Sequence, residues 1–209
     1  MYTDKKNQHY IPKFYLRNFS YKNNKKQIGI YNINSEFFFQ NSKLKTQGSK
    51  KFYYGTDGKI EDTLSNIEDS IAKTINRIIL TKELPRKFSE DHFLIILFVI
   101  LTDIRNPTTI VQMKNYLEEM RKRVLELDPN ADTNKFIPNP NHDEIIRLLF
   151  NNILDIAPVI LDLDYKILIN KTSTPFISSD FPVVKYNQYL ELKKWPHSKT
   201  GYGSSGLQI

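Results

Sequence analysis

The first segment that could do chemistry lies near the start of the sequence, at residues 8–19. Its twelve residues combine one imidazole, two cationic side chains and four aromatic rings, a mixture that no plain strand or helix requires. His9 is a candidate catalytic base or metal ligand, because an imidazole changes charge near neutral pH. Arg17, with Lys13, could bind a phosphate or a carboxylate, and Tyr15 is a further candidate substrate-binding residue. The alternatives are a histidine that only makes structural hydrogen bonds and a solvated arginine.

Two glutamates farther along the chain, Glu61 and Glu68, are candidate metal ligands. A spacing of seven residues is almost two helical turns, so both carboxylates should lie on one side of a predicted helix. Carboxylates at the edge of a core could coordinate a hard divalent cation such as Mg²⁺ or Mn²⁺, or they could meet the basic start of the chain. The alternative is an amphipathic helix with acidic shoulders.

Three further charged residues stand at the ends of predicted elements. Asp103 and Arg105 end the most apolar helix, where a buried charge must be paired. Arg105 is therefore predicted to bind an anionic substrate or to form a structural ion pair. Asp180 follows a predicted strand, and loops at strand ends often carry chemistry. We predict Asp180 as a catalytic residue and a third metal ligand, whereas a purely structural turn at residues 178–180 is the alternative.

The composition is that of a folded globular chain of 209 residues, with 40% hydrophobic residues and no cysteine. It contains no disulfide, thiolate nucleophile or cysteine zinc site. No Gly-rich phosphate loop, zinc-protease helix or nucleophile elbow is present. The longest apolar run, residues 93–101, has about half of the ~20 residues that a membrane span needs, and no secretory signal is visible. We expect a cytoplasmic protein without a membrane partner.

The positive charge is concentrated at the start of the chain. Residues 1–60 carry 12 Lys and Arg against three Asp and Glu, whereas residues 61–209 carry 18 against 20. This asymmetry indicates an anionic partner for residues 1–60, with nucleic acid as the leading candidate. The alternative is solubility in a protein encoded by an AT-rich genome, because lysine dominates and no arginine cluster exists.

The hydrophobic pattern predicts three zones that would position these residues. Residues 1–55 are typical of strands and turns, with a hairpin formed by 27–33 and 37–40. Residues 57–157 predict four helices, whose boundaries are indicated by Asp57-Gly58, Leu84-Pro85, Ser89, Asn106-Pro107, Asn141 and Ala157-Pro158. Residues 159–209 alternate as strands do at 163–169, begin another strand at 176–177, and end at 207–209 in what resembles the start of a strand.

Four motifs carry a family resemblance. They are His9-Tyr10-x-Pro12-x-Phe14-Tyr15-Leu16-Arg17-x-Phe19, Ile60-Glu61-x-x-Leu64-x-x-Ile67-Glu68, Asp103-Ile104-Arg105-x-Pro107 and Phe176-Ile177-x-Ser179-Asp180-x-Pro182-Val183. In order and spacing, over nearly the whole chain, they resemble a bacterial family catalogued as domain of unknown function 4238. The resemblance implies no activity; it implies that the candidate residues fall in recurring motifs. It also implies a C-terminally truncated member, because members usually continue into a further strand and helical part.

Together these patterns predict an α+β fold in a single domain over 1–209. We expect a small antiparallel sheet from N- and C-terminal strands and a central layer of about four helices. The leading functional hypothesis is a metal-dependent nuclease of a defence or toxin type, in which Glu61, Glu68 and Asp180 hold the cation. His9 would activate water, and Arg17 or Arg105 would contact phosphate. The alternatives are a non-enzymatic module that binds nucleic acid or protein, and an enzyme that clamps a small anionic substrate through Arg105.

Overall fold

The computed structural model describes Asp4, residues 6–185 and the backbone of residues 186 and 206–208. Over these residues the predicted α+β class is confirmed, with short strands at both ends and helices between them. The elements are β1 (Asn7–His9), α1 (Lys13–Arg17), β2 (Gln27–Asn32), β3 (Phe37–Lys43), β4 (Ser49–Lys51), α2 (Lys59–Thr81), α3 (Glu90–Ile104), α4 (Pro107–Leu127), α5 (His142–Asn151), α6 (Ile153–Ile160), β5 (Val184–Tyr186) and β6 (Gly206–Gln208).

The strands of the described residues form three separate antiparallel pairs rather than one sheet. β1 pairs with β4, β2 forms the predicted hairpin with β3, and β5 pairs with β6. No N-terminal strand is bonded to a C-terminal strand in this part of the chain, so the expected common sheet is absent there. The alternating residues 163–169 and 176–177 are irregular. Leu168 and Ile177 are exposed. An alternating pattern of residues is not sufficient for a strand, because a strand also needs a partner strand for its backbone hydrogen bonds.

The helix boundaries follow the predicted capping signals. Ser89 accepts a hydrogen bond from the backbone N–H of His92, and Asn106 accepts one from Thr108 at the start of α4. Asn141 forms a capping box with Glu144. The extent predicted for the fourth helix was wrong. In the structure this segment is divided at residue 152 into α5 and α6, and α6 continues past Pro158. A short helix, α1, was also not predicted within residues 1–55.

The main core surrounds α3, which is buried on nearly all sides as its uniform hydrophobicity predicted. α2, α5 and α6 pack on it, together with the adjacent tyrosines Tyr53 and Tyr54. A second, smaller core lies beneath β2, and Tyr10 and Tyr15 contact both cores. Among the described residues no single helix is long and apolar enough to cross a membrane; α3 and α4 meet that requirement only as a pair bent by 64°.

Candidate functional site

A buried glutamine fixes the position of the opening segment. The Gln8 side chain is completely buried, and its Oε1 accepts a hydrogen bond of 2.6 Å from the backbone N–H of Tyr54. Its Nε2 donates to the carbonyl oxygen of Gly55 at 3.1 Å. The Tyr54 hydroxyl donates in turn to the His9 carbonyl oxygen at 2.9 Å. These bonds hold β1 against the loop that leads into α2, and they therefore set the distance between His9 and that helix.

His9 is buried in a state that keeps its imidazole neutral. Its side chain is 6% exposed, and Nε2 has no hydrogen-bond partner among the described residues. Burial lowers the pKa of His9 from 6.5 to about 4, and the positive charges of Lys13 and Arg105 add to that effect. At neutral pH the ring is therefore uncharged. A neutral imidazole nitrogen can accept a proton or coordinate a metal.

His9 and the two predicted glutamates line one cleft. The His9 cleft has a volume of about 150 Å³ and is lined by His9, Lys13, Glu61, Leu64, Ser65 and Glu68. The last four residues lie on α2, spaced so that they share one face of the helix. Leu64 is buried and both glutamates are partly exposed. The cleft thus combines an imidazole, an ammonium group, a hydroxyl and two carboxylates.

Arg105 supports the cleft from the interior. Its Nη1 donates to Glu68 Oε1 at 2.6 Å, and its side chain is 1% exposed, whereas that of Glu68 is 24% exposed. Tyr53 donates its hydroxyl to the Arg105 carbonyl oxygen at 2.7 Å. Of the two predictions for Arg105, the described contacts match the structural ion pair. Arg105 is not among the residues that line the cleft, and a substrate role for it stays a prediction.

Two other candidate binding residues lie outside the cleft. The Tyr15 hydroxyl forms a hydrogen bond of 2.8 Å with Ser178 Oγ, which ties α1 to a segment 163 residues later. Its ring packs on Phe98 of α3. Arg17 is exposed on α1. Neither side chain lines the His9 cleft, so their substrate-binding roles remain predictions.

Asp180 lies in a turn, which was the alternative to a catalytic role for residues 178–180. Asn106 donates from Nδ2 to the Asp180 carbonyl oxygen at 2.7 Å, so the main chain makes this bond. Ser179 Oγ accepts from the backbone N–H of Phe181 at 3.1 Å, which closes the turn. Val183, just beyond, is completely buried. The Asp180 side chain is exposed and does not line the His9 cleft.

The predicted metal ligands are therefore divided between two places. Glu61 and Glu68 line the cleft, whereas Asp180 does not. Within the described ranges, no three His, Asp or Glu side chains are grouped so as to hold a metal ion. The role of Glu61, Glu68 and Asp180 as a three-carboxylate set stays a prediction. Two carboxylates alone can still hold Mg²⁺ when water and phosphate supply the other oxygens.

A model of one protein family matches almost the whole chain. It is described as a protein of unknown function (DUF4238), and it matches residues 7–201. The chain belongs to this family. No curated protein and no solved structure matches the chain. All four motifs of this DUF4238 chain lie within the matched residues, so the matched region contains every residue that lines the His9 cleft.

Sequence reasoning missed two groups that shape the site in this DUF4238 chain. Ser65 lies four residues after Glu61 and three before Glu68, and that helical spacing was a sufficient signal to place it in the cleft. Gln8 gave no such signal, because nothing in its neighbours indicates that its amide spans two backbone groups of the loop after β4.

Proposed function

We propose that this chain is a cytoplasmic bacterial nuclease of a defence or toxin type that hydrolyses phosphodiester bonds of nucleic acid in the His9 cleft. The observation that carries the proposal is the meeting of a buried neutral imidazole with Lys13, Glu61 and Glu68 in one cleft. Hydrolysis of a phosphodiester needs a base for the attacking water and positive charge near the phosphate oxygens.

Each group in the cleft has a role in that reaction. His9 accepts the proton of the attacking water as the new bond to phosphorus forms and the bond to the leaving oxygen breaks. Lys13, which is exposed at the mouth of the cleft, offsets the charge of the phosphate. Glu61 and Glu68 would hold Mg²⁺ or Mn²⁺, with water and phosphate oxygens in the remaining positions.

The charge distribution supports nucleic acid as the substrate. Residues 1–60 supply His9 and Lys13 to the cleft and carry the positive excess of the chain. A basic surface raises the local concentration of a polyanion, and its contribution to binding falls as salt rises. The substrate and the catalytic base would thus be brought together by one part of the chain.

The test is cleavage of single- and double-stranded DNA and RNA with Mg²⁺, with Mn²⁺ and with EDTA. We expect His9→Ala to lower the cleavage rate by about 100-fold or more, the usual effect of losing an acid–base group. Glu61→Gln should also lower the rate, because a neutral amide holds a divalent cation less well than a carboxylate does. Glu118→Gln, an exposed glutamate on α4, is the matched control and should cleave as the wild type does. Cleavage that His9→Ala and Glu61→Gln leave intact would contradict the proposal.

Asp180→Asn separates the two sets of metal ligands. Unchanged metal-dependent cleavage would fit a cation held by Glu61 and Glu68 alone, because the Asp180 side chain lies outside the cleft. Lost cleavage, with an unchanged melting temperature, would add Asp180 to the ligands. The backbone bond from Asn106 does not depend on the carboxylate, so the turn should survive this substitution.

A second candidate function is a binding module without turnover. The ion pair of Glu68 with buried Arg105 favours it, because this pair gives one cleft carboxylate a structural task. In this function the wild type binds nucleic acid or an acidic protein in a salt-sensitive manner and cleaves nothing. Glu61→Gln would then leave binding unchanged, whereas Glu68→Gln would lower the melting temperature.

A further inference from the structure

The hairpin of β2 and β3 presents aromatic side chains to solvent. Every residue from 31 to 41 is exposed. The four rings in this stretch range from 48% exposure for Phe39 to 58% for Tyr31 and Phe38. Aromatic side chains of this size usually bury most of their surface. An exposed aromatic group of this kind is typical of a surface that binds something.

The four rings are divided between the two faces of the hairpin. Tyr31 lies opposite Phe38 in the strand register, so these two side chains share one face. The Phe38 ring lies over Gly29, where a Cβ atom would be 3.2 Å from Phe38 Cζ. On the other face Phe37 and Phe39 pack against each other, with ring centroids 4.6 Å apart. Tyr31 and Phe38 therefore form a pair of rings backed by the hairpin itself.

Lysines are frequent in the segment that contains this hairpin. Residues 20–51 contain one acidic residue, Glu36, and seven lysines, all exposed: Lys22, Lys25, Lys26, Lys43, Lys45, Lys50 and Lys51. In the part of the chain that the structure describes, none of the seven forms an ion pair with an acidic side chain. Their charge is therefore available to an anionic partner. Lys43 lies at the base of the hairpin, opposite Gln27.

We propose that Tyr31 and Phe38 form a stacking platform for the bases of single-stranded nucleic acid, whose phosphates bind lysines of the segment 20–51. The proposal rests on the proposed function and names its substrate class. Every base has a π face that stacks on an aromatic ring, and a basic surface beside the rings binds the backbone. Bases in a duplex already stack on one another, so the platform favours an unpaired strand.

The hairpin tip argues for nucleic acid over a lipid surface. Asn32 Oδ1 accepts hydrogen bonds from the backbone N–H groups of Asn34 and Ser35, and Glu36 follows. With the exception of Ile33, the turn that would enter a bilayer first is polar, and it carries the only acidic residue of the segment 20–51. Inserting these groups into lipid would be costly. Lysine charge and flat rings together match a nucleic-acid strand better.

The test measures binding by fluorescence anisotropy, with labelled single-stranded RNA and DNA oligonucleotides in EDTA. The double variant Tyr31→Leu, Phe38→Leu keeps apolar side chains but removes the flat rings. We expect its dissociation constant to rise about tenfold or more, because the bases lose the flat rings on which they stack. Phe38→Trp should bind more tightly than the wild type. Phe136→Leu is the matched control, because Phe136 is an exposed ring far along the chain, and it should leave the dissociation constant unchanged.

Several results would overturn the platform: unchanged affinity in the double variant, equal affinity for a duplex of the same sequence, or binding of the hairpin to anionic vesicles or to a second copy instead of the strand. If the double variant does not fold, Phe38→Trp still tests the platform, because unchanged or weaker binding by this variant would contradict it. Strand binding that needs the rings, without cleavage by the wild type, would support the platform and contradict the proposed hydrolysis. Cleavage by the wild type, together with unchanged strand binding in the double variant, would support the proposed hydrolysis and contradict the platform.

Discussion

Acidification should destabilise this protein through His9. The unfolded chain binds a proton at His9 with a pKa of 6.5, whereas the folded chain binds it only near pH 4. Between these values the unfolded state holds more protons, so its free energy falls relative to that of the native state as pH decreases. From pH 7 to pH 5 this difference removes about 2 kcal/mol from the free energy of unfolding. Above pH 7 both states are neutral at this ring and the effect vanishes.

Urea unfolding of the wild type and of His9→Gln at pH 7 and pH 5 measures this contribution. The glutamine amide keeps a polar side chain in place but binds no proton. The free energy of unfolding of His9→Gln should therefore fall by about 2 kcal/mol less on acidification than that of the wild type. His92 is also buried, and burial together with Lys87 lowers its pKa, but it is present in both proteins and cancels in the difference. Equal losses in the two proteins, or a His9 ring that titrates near 6.5 by NMR, would refute the reasoning.

Two further predictions concern positions whose roles are structural. Gly48→Ala should lower the free energy of unfolding by about 2 kcal/mol or more in chemical denaturation, because φ is +60° and the new Cβ would lie 2.7 Å from Ile11 Cβ. Gly55→Ala, also at positive φ, should cost less, because its new Cβ would lie at an ordinary contact distance of 3.6 Å from Asp143 Oδ2. Equal costs would count against the contact with Ile11. Asn106→Ala should cost about 2 kcal/mol in the same measurement, through the cap of α4 and the bond to Asp180. Asn106→Asp keeps the acceptor that caps α4 but loses the donor to Asp180. Hydrogen exchange around residue 180 should therefore rise in both Asn106→Ala and Asn106→Asp, and unchanged exchange would contradict a stabilising role for the bond to Asp180.

Elements that depend on local signals were predictable from the sequence. The starts of α3 and α5 follow from Ser89 and Asn141, because a capping side chain needs only the backbone of the next turn. The hairpin followed from alternation on both sides of a turn. The region 163–169 alternates equally well but forms no strand, because its pairing would depend on a distant segment that the pattern does not specify.

The candidate site was predictable in part. Helical spacing placed Glu61 and Glu68 on one face of α2, and the structure brings His9 to the same cleft. Asp180 was chosen for its carboxylate, but the contact that the structure gives it uses the carbonyl oxygen, which every residue possesses. The pattern of residue types could not reveal that distinction. The same applies to Arg105, whose type fitted a substrate clamp and whose burial beside Glu68 gives it an ion pair.

The turn at Asp180 also determines how the protein can be dissected. A fragment that stops at residue 175 would still encode α1–α6. It would, however, lack Val183, whose side chain is completely enclosed, and it would deprive the Asn106 amide of its acceptor. Protease nicking between α6 and this turn should therefore weaken the helices themselves rather than release them as an independent piece.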